Sequence, residues 1–315
     1  MVEVKILSGG LSTELEAAGF LLQGDPLWSA RLLHTNPQAI KNVHTSFLSS
    51  GADVLSTATY QASIEGFKDH LELNVEEAAK LIHVGVQIAK EAADEYNMQS
   101  PVKKEIIIAG SIGPYGAFLH DGSEYTGSYV SNMSTEELKD WHRAQMQCLV
   151  SSGVDMLALE TIPSQKEAEA LVQLLREFPN MKAWLSFSCQ SITSTAYGDI
   201  FGDAVRVAMG SNQLVAIGVN CCSPAFVGPL LASANKNNDL DIKWIAYPNS
   251  GEEWDHSLGW KGCNTKMPLT EHAVEWVQLG ARWIGGCCRT SPSDIANLEK
   301  VLRPKPGHID QTNDL

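Results

Sequence analysis

The sequence predicts a single (β/α)8 barrel, and three observations lead there. Eight apolar runs of strand length recur along the chain, each closing in small or polar residues. Their hydrophobicity is continuous rather than alternating, as parallel strands buried on both faces require. Amphipathic helical segments fill the intervals, and strand–helix alternation of this kind closes into a barrel through right-handed crossovers. A doubly wound sheet is the other parallel arrangement, but no G-x-G-x-x-G follows the first run to mark a dinucleotide-binding turn.

In order, the runs are VKILSGG (Val4–Gly10), ADVLSTATY (Ala52–Tyr60), IIIAGSIG (Ile106–Gly113) and DMLALETI (Asp155–Ile162). AWLSFSC (Ala183–Cys189), LVAIGVNC (Leu214–Cys221), KWIAYPN (Lys243–Asn249) and RWIGGCC (Arg282–Cys288) complete the set. Helical spacing of apolar residues marks Pro37–Ser50, Val75–Tyr96, Ser134–Ser151, Ser164–Phe178 and Thr270–Leu279. Several helix starts carry a cap: Ser134 with Glu137, Ser164 with Glu167, and Ser291 followed by Pro292 and Asp294. In each, a hydroxyl can accept from an orphan amide of the first turn. Residues 1–303 are therefore expected to form one barrel, and 304–315 a loose polar tail.

A chain 44% hydrophobic and 19% charged has an ordinary globular composition. Its net charge of −14 argues against nucleic acid or an anionic membrane as partner, since both need a basic footprint. Small molecules are the expected partners, with the chain a monomer or small homo-oligomer. The first apolar run is broken early by glycines, and no run is long enough to span a bilayer, so a cytoplasmic, reducing location is expected. Seven cysteines, an odd number clustered late, then suggest metal binding or catalysis rather than a disulfide framework.

In such a barrel the active site lies at the carboxyl ends of the strands. Those ends place Cys221 and Cys222 after the sixth strand and Cys287 and Cys288 after the eighth. Neighbouring residues of a regular strand point to opposite faces, so two adjacent thiols reach one metal only where the strand ends. Gly285 and Gly286 would supply the backbone freedom for that turn. Three thiolates with one open position describe a catalytic zinc site, and sulfur donors favour zinc over magnesium or manganese. The plainer reading is that these are small buried hydrophobes, and it is kept for Cys148, Cys189 and Cys263.

With these motifs in order, the sequence resembles the homocysteine S-methyltransferase family over nearly the whole barrel. The resemblance lies in the glycine pair and TELE (Gly9–Glu16), PLWSA (Pro26–Ala30), TATYQAS (Thr57–Ser63), GSIGPYGA (Gly110–Ala117) and ETIPS (Glu160–Ser164). It continues in SFSC (Ser186–Cys189), GVNCCSP (Gly218–Pro224), YPNSGEEWD (Tyr247–Asp255) and GGCCRTSP (Gly285–Pro292). The family implies a barrel whose zinc is held by Cys221, Cys287 and Cys288, with Cys222 a neighbour rather than a ligand. It implies methyl transfer from a sulfonium donor, S-methylmethionine or S-adenosylmethionine, to the thiol of homocysteine, giving methionine. The LWSA motif and the compact chain resemble that group more than the betaine enzyme.

Among substrate-site residues, the resemblance places Glu160 near the homocysteine amino group and Thr57 and Trp28 in the pocket walls. Glu160 has a plainer reading as a helix-capping or solvated carboxylate, and Thr57 and Trp28 as core packing. Asn249 and Glu252 are plausible polar pocket groups, while the histidines, His120 and His142 included, are assigned to surface or packing positions. One departure stands out. The family has Asp before the glycine pair Gly9–Gly10, where this chain has Ser8, a hydroxyl without the charge assistance of a carboxylate. Two other functions therefore stay open: a zinc- or thiol-binding barrel with impaired turnover, and a methyltransferase acting on selenocysteine or selenohomocysteine.

Overall fold

The computed structural model describes residues 3–235, 241–255, 259–261 and 268–304. Its strands are β1 (Lys5–Ile6), β2 (Val54–Ser56), β3 (Ile107–Ile112), β4 (Met156–Ile162) and β5 (Ala183–Phe187). They continue as β6 (Leu214–Asn220), β7 (Trp244–Tyr247), a hairpin of β8 (Glu253–Asp255) with β9 (Gly259–Lys261), and β10 (Ala281–Ile284). Eight of them pair in parallel in the order β1-β10-β7-β6-β5-β4-β3-β2. A parallel bridge between Leu7 and Val54, with the Ser8 amide donating to the Val54 carbonyl at 3.0 Å, joins β1 to β2. The ring is closed, and every predicted strand is in it. The β8–β9 hairpin stands outside the predicted alternation, in the connection between β7 and β10.

Burial explains the unbroken hydrophobicity of the strands. All of β4 and β5 is buried, and successive side chains alternate between two apolar clusters. Leu157 and Leu159 join the layer between sheet and helices, whereas Met156 and Ala158 join the cluster inside the ring. The interior holds two indoles, Trp184 and Trp283, with ring centres 6.1 Å apart, and alanines at 109, 158 and 216 leave room for them. Each buried indole contributes on the order of 2–3 kcal/mol by area removed from water. The Trp184 indole N–H donates to the Tyr247 hydroxyl at 2.8 Å, so this packed interior ends in a polar tip.

At the amino-terminal end of the ring, buried Asp53 accepts from the Ile6 amide at 2.8 Å and from both terminal nitrogens of Arg303. Arg303 also donates to the Val4 carbonyl, at 2.6 Å. One bidentate pair thus fastens the end of the last helix (Pro292–Leu302) to the seam between β1 and β2.

The predicted helices are observed as Pro37–Ser49, Val75–Gln99, Thr135–Ser151, Gln165–Leu175 and Leu269–Gln278. Ser134 with Glu137 and Ser291 with Asp294 form full reciprocal capping boxes. The third signature is only half of one. Ser164 accepts from the Glu167 amide at 3.2 Å, but the Glu167 carboxylate is fully buried and turned elsewhere. It accepts from the Tyr115 amide at 2.8 Å and the Tyr129 hydroxyl, and meets His142 Nε2 at 2.9 Å. Local sequence saw the cap but not these partners, which arrive from the long loop after β3 and the helix that follows it. The predicted tail lies, from residue 305 on, outside the described residues, as does Cys263.

Candidate active site

A cavity of about 590 Å³ opens at the carboxyl ends of the strands, a volume suited to small-molecule substrates. Ser8, Gly9, Trp28, Thr57, Glu160, Cys221, Cys287 and Cys288 all line it. Asn249 and Glu252 do not, which departs from expectation. Asn249 is buried behind the cysteine turns, its amide donating to the Cys222 carbonyl at 3.0 Å. Glu252 is taken up in an ion pair with Arg289 at 2.6 Å.

The three cysteines come together because two strand ends turn sharply. Cys221, immediately after β6, has a φ of 47°, and Arg289, after the second pair, has 63°. Gly285 and Gly286, expected to make that turn, have no left-handed φ. Their role is space: a Cβ at Gly285 would come within 2.6 Å of Leu7 Cβ, and one at Gly286 within 2.1 Å of Thr290 Cγ2. Gly9 and Gly10 meet the same turn from β1, where a Cβ on Gly10 would stand 2.6 Å from the Cys287 carbonyl oxygen. The Cys287 amide donates to the Pro248 carbonyl at 2.7 Å, the Ser250 amide to the Cys288 carbonyl at 3.1 Å, and the Gly10 amide to the Thr290 carbonyl at 3.0 Å.

The sulfurs of Cys221, Cys287 and Cys288 lie within 4.8 Å of one another. Tetrahedral zinc with bonds near 2.3 Å needs sulfurs roughly 3.8 Å apart, so the set fits with small side-chain movement. All three donors are soft sulfur, and among the described residues no carboxylate or imidazole belongs to the cluster. Cys222 is buried outside it. Cys221 and Cys287 are drawn together as a disulfide, with Cα atoms 5.5 Å apart. The reason is proximity: thiols close enough to share a metal are close enough to be cross-linked. The adjacent pair Cys287–Cys288 is not bridged, and Cys288 is a free thiol that burial pushes up to about 12.

Glu160 ends β4 in the cavity wall, accepting from the Ser111 hydroxyl. Its carboxyl is raised by burial, against the opposing hydrogen bonds of Ser111 and Tyr247. It is neither a helix cap nor solvated. Thr57 is more committed to structure: its oxygen accepts from the Ser111 amide at 3.0 Å and lies 2.6 Å from the Thr59 hydroxyl. Trp28, with a φ of 46°, opens a 3-10 turn (Trp28–Arg31) at the rim and is half-buried.

Sequence reading gave several residues no role in or around the site. His120 lines the cavity, 3.4 Å from Gln61 Nε2, and His142 is buried against Glu167 rather than merely packed. Asn220 grips Thr161 with two hydrogen bonds, from the Thr161 amide at 2.7 Å and to its hydroxyl at 2.8 Å, tying the ends of β4 and β6. Glu124 and Tyr125 descend into the cavity from the loop after β3, and burial pushes the Glu124 carboxyl up to about 7. The available signal was the length of that loop on the carboxyl side of a barrel, where function concentrates.

Fold and site together define a (β/α)8-barrel protein with a three-sulfur centre fit to hold a metal. The family model described as homocysteine S-methyltransferase matches residues 5–302. The chain belongs to the homocysteine S-methyltransferase family. It is 42% identical over 313 residues to a betaine-homocysteine S-methyltransferase of Drosophila melanogaster, covering 95% of this chain and 94% of the relative. It is 36% identical to the homocysteine methyltransferase MmuM from Escherichia coli in its metallated form, with a TM-score of 0.84, covering 94% of this chain and 96% of that one. For the oxidized form of the same protein the values are 37% and 0.83, with 94% and 95% covered.

Proposed function

We propose that this homocysteine methyltransferase holds zinc through Cys221, Cys287 and Cys288 and takes its methyl group from a sulfonium donor, S-methylmethionine or S-adenosylmethionine, to make methionine. The convergence of the three sulfurs in one cavity carries the metal assignment, and their softness favours zinc. Zinc held by these three sulfurs would favour the deprotonated homocysteine thiol at neutral pH, where a free alkyl thiol of pKa about 8.5 is mostly neutral.

The chain's residues do the rest. Glu160 accepts the homocysteine ammonium, with Ser111 and Tyr247 holding its carboxylate in place. Ser8 offers that ammonium a hydroxyl; Thr57 and Trp28 shape the walls and align thiolate with methyl group. The new sulfur–carbon bond forms as the donor's sulfur–methyl bond breaks, and its electron pair stays on the donor sulfur, which leaves as a neutral thioether. The cavity also speaks to the donor. Glu16, Asp25, Glu124 and Glu160 line it, and no Lys or Arg does among the described residues. That lining suits a donor of net positive charge, as both sulfonium amino acids carry, better than betaine, whose charges cancel.

Residues 1–303 are taken as one homocysteine-binding unit, and a reducing cytoplasm as the compartment that keeps the thiols available for metal. No helix among the described residues is long and apolar enough to cross a membrane. Methionine formation by reduced, zinc-loaded protein with each of S-methylmethionine, S-adenosylmethionine and betaine tests the assignment. Turnover with a sulfonium donor is expected; turnover with betaine alone would overturn the donor, and silence with all three the activity.

A further inference from the structure

Of the four carboxylates in the cavity, three have evident partners. Asp25 pairs with Arg31 and accepts from the Leu27 amide at 2.9 Å. Glu160 is held by Ser111 and Tyr247, and Glu16 feels the charge of Arg289. Glu124 is different: its Oε2 is buried and has no hydrogen-bond partner among the described residues. A buried carboxylate oxygen left unpaired costs stability, so the fold gains nothing from it.

Its surroundings are nonetheless built with care. Glu124 sits in a short 3-10 turn (Ser123–Tyr125), and its carbonyl accepts from the Ser188 hydroxyl at 2.9 Å. The Gly127 amide donates to the Ser123 carbonyl at 2.6 Å. Gly116 lies so close beneath that a Cβ there would meet the Glu124 amide nitrogen at 2.6 Å. The buried Glu167 carboxylate, gripping Tyr115 and Tyr129, holds both flanks of this loop. The aromatic neighbours Tyr60, Tyr125 and Trp28 share the cavity, and the Tyr125 side chain hydrogen-bonds Cys288. A carboxylate with one buried oxygen unsatisfied, in a cavity lined by aromatic rings and one residue from a contact to the three-sulfur centre, is suited to receive a cation.

We propose that Glu124 is the residue that recognises the methyl donor, its carboxylate facing the sulfonium. The assignment rests on the sulfonium reading above and deepens it. It has a kinetic signature. When thiolate attacks sulfonium, the positive charge beside Glu124 disappears as the methyl group moves. The carboxylate therefore stabilises the bound donor more than the transition state, and serves KM rather than kcat.

The test uses zinc-loaded, reduced wild type with Glu124→Gln and Glu124→Asp. Kinetics are measured with homocysteine and S-methylmethionine, and trimethylsulfonium is the competing probe that carries the charge alone. Losing a charge-assisted contact is expected to raise the donor KM by about tenfold or more, with kcat unchanged or slightly raised. The homocysteine KM should be unchanged, which also reports an intact fold. Inhibition by trimethylsulfonium should weaken in E124Q and recover in part in E124D, which keeps the charge. A donor KM and probe inhibition unaltered in E124Q, in a protein whose wild type turns over, would overturn the role of Glu124 and leave the reaction standing. Wild type that turns over neither sulfonium donor would instead overturn the donor reading, and this assignment with it.

Discussion

Replacing Glu124 by Gln should make the protein more stable at neutral and alkaline pH. Burial holds the Glu124 carboxyl up at about 7, from an ordinary 4.5. A carboxyl whose affinity for its proton rises on folding gives a folded state that keeps the proton longer than the unfolded chain. Across that window stability falls as pH rises, and the loss is complete once pH passes the folded value. At about 1.4 kcal/mol for each tenfold change in proton affinity, the ionised carboxylate costs about 3 kcal/mol. Gln has nearly the shape of the neutral carboxyl, so other differences between the two proteins largely cancel when two pH values are compared. The assay is urea unfolding of reduced, metal-free wild type and E124Q at about pH 4 and about pH 8, with the advantage of E124Q growing by about 3 kcal/mol between them. Near pH 8 this corresponds to about 5 °C in Tm for a chain of this length. An advantage that is the same at both pH values would refute the reasoning, since the Glu124 carboxyl would then titrate alike in folded and unfolded chains.

Other substitutions test the site and its frame. Ser8→Asp should lower the homocysteine KM by about tenfold, by adding charge assistance to the ammonium contact; no change would remove Ser8 from the substrate site. Glu167→Gln leaves a buried network partly satisfied and should cost about 1–3 kcal/mol in urea unfolding, and it should also raise the donor KM through the loop that carries Glu124. A loss of stability with donor KM unaltered would show that the loop does not depend on this hub. Asp53→Asn weakens the pair with Arg303 and should cost about 1.5–3 kcal/mol with substrate KM values unaltered, because it sits at the opposite end of the ring from the site. A shift in either KM would contradict that separation.

The frame of this protein was legible in its sequence because barrel strands are buried on both faces and so appear as continuous apolar runs. β4 and β5 are the clearest cases. The site was half legible. The thiols at two strand ends stood out because they have few plain explanations, while the choice of Cys221 over Cys222 came from the family resemblance. Their turning residues did not, since the left-handed backbone falls on Cys221 and Arg289 and not on the neighbouring glycines. Asn249 follows a strand end yet is buried outside the cavity lining, its amide bound to the Cys222 carbonyl, a placement that local sequence does not show. The cavity role of Glu124 and the hub role of Glu167 were hidden for a common reason: each is an ordinary acidic residue locally, and its setting depends on partners more than thirty residues away, such as Ser188 and Tyr129.

The central claim is that three particular sulfurs hold the metal on which methyl transfer depends. Zinc content and methionine formation, measured on the same reduced preparations of wild type and of Cys221→Ser, Cys222→Ser, Cys287→Ser and Cys288→Ser, test it most directly. One zinc per chain with activity in wild type and Cys222→Ser, and both lost or sharply reduced in the other three, is the expected result. Zinc and activity that survive loss of Cys221, Cys287 or Cys288, or that vanish with Cys222, would contradict the account.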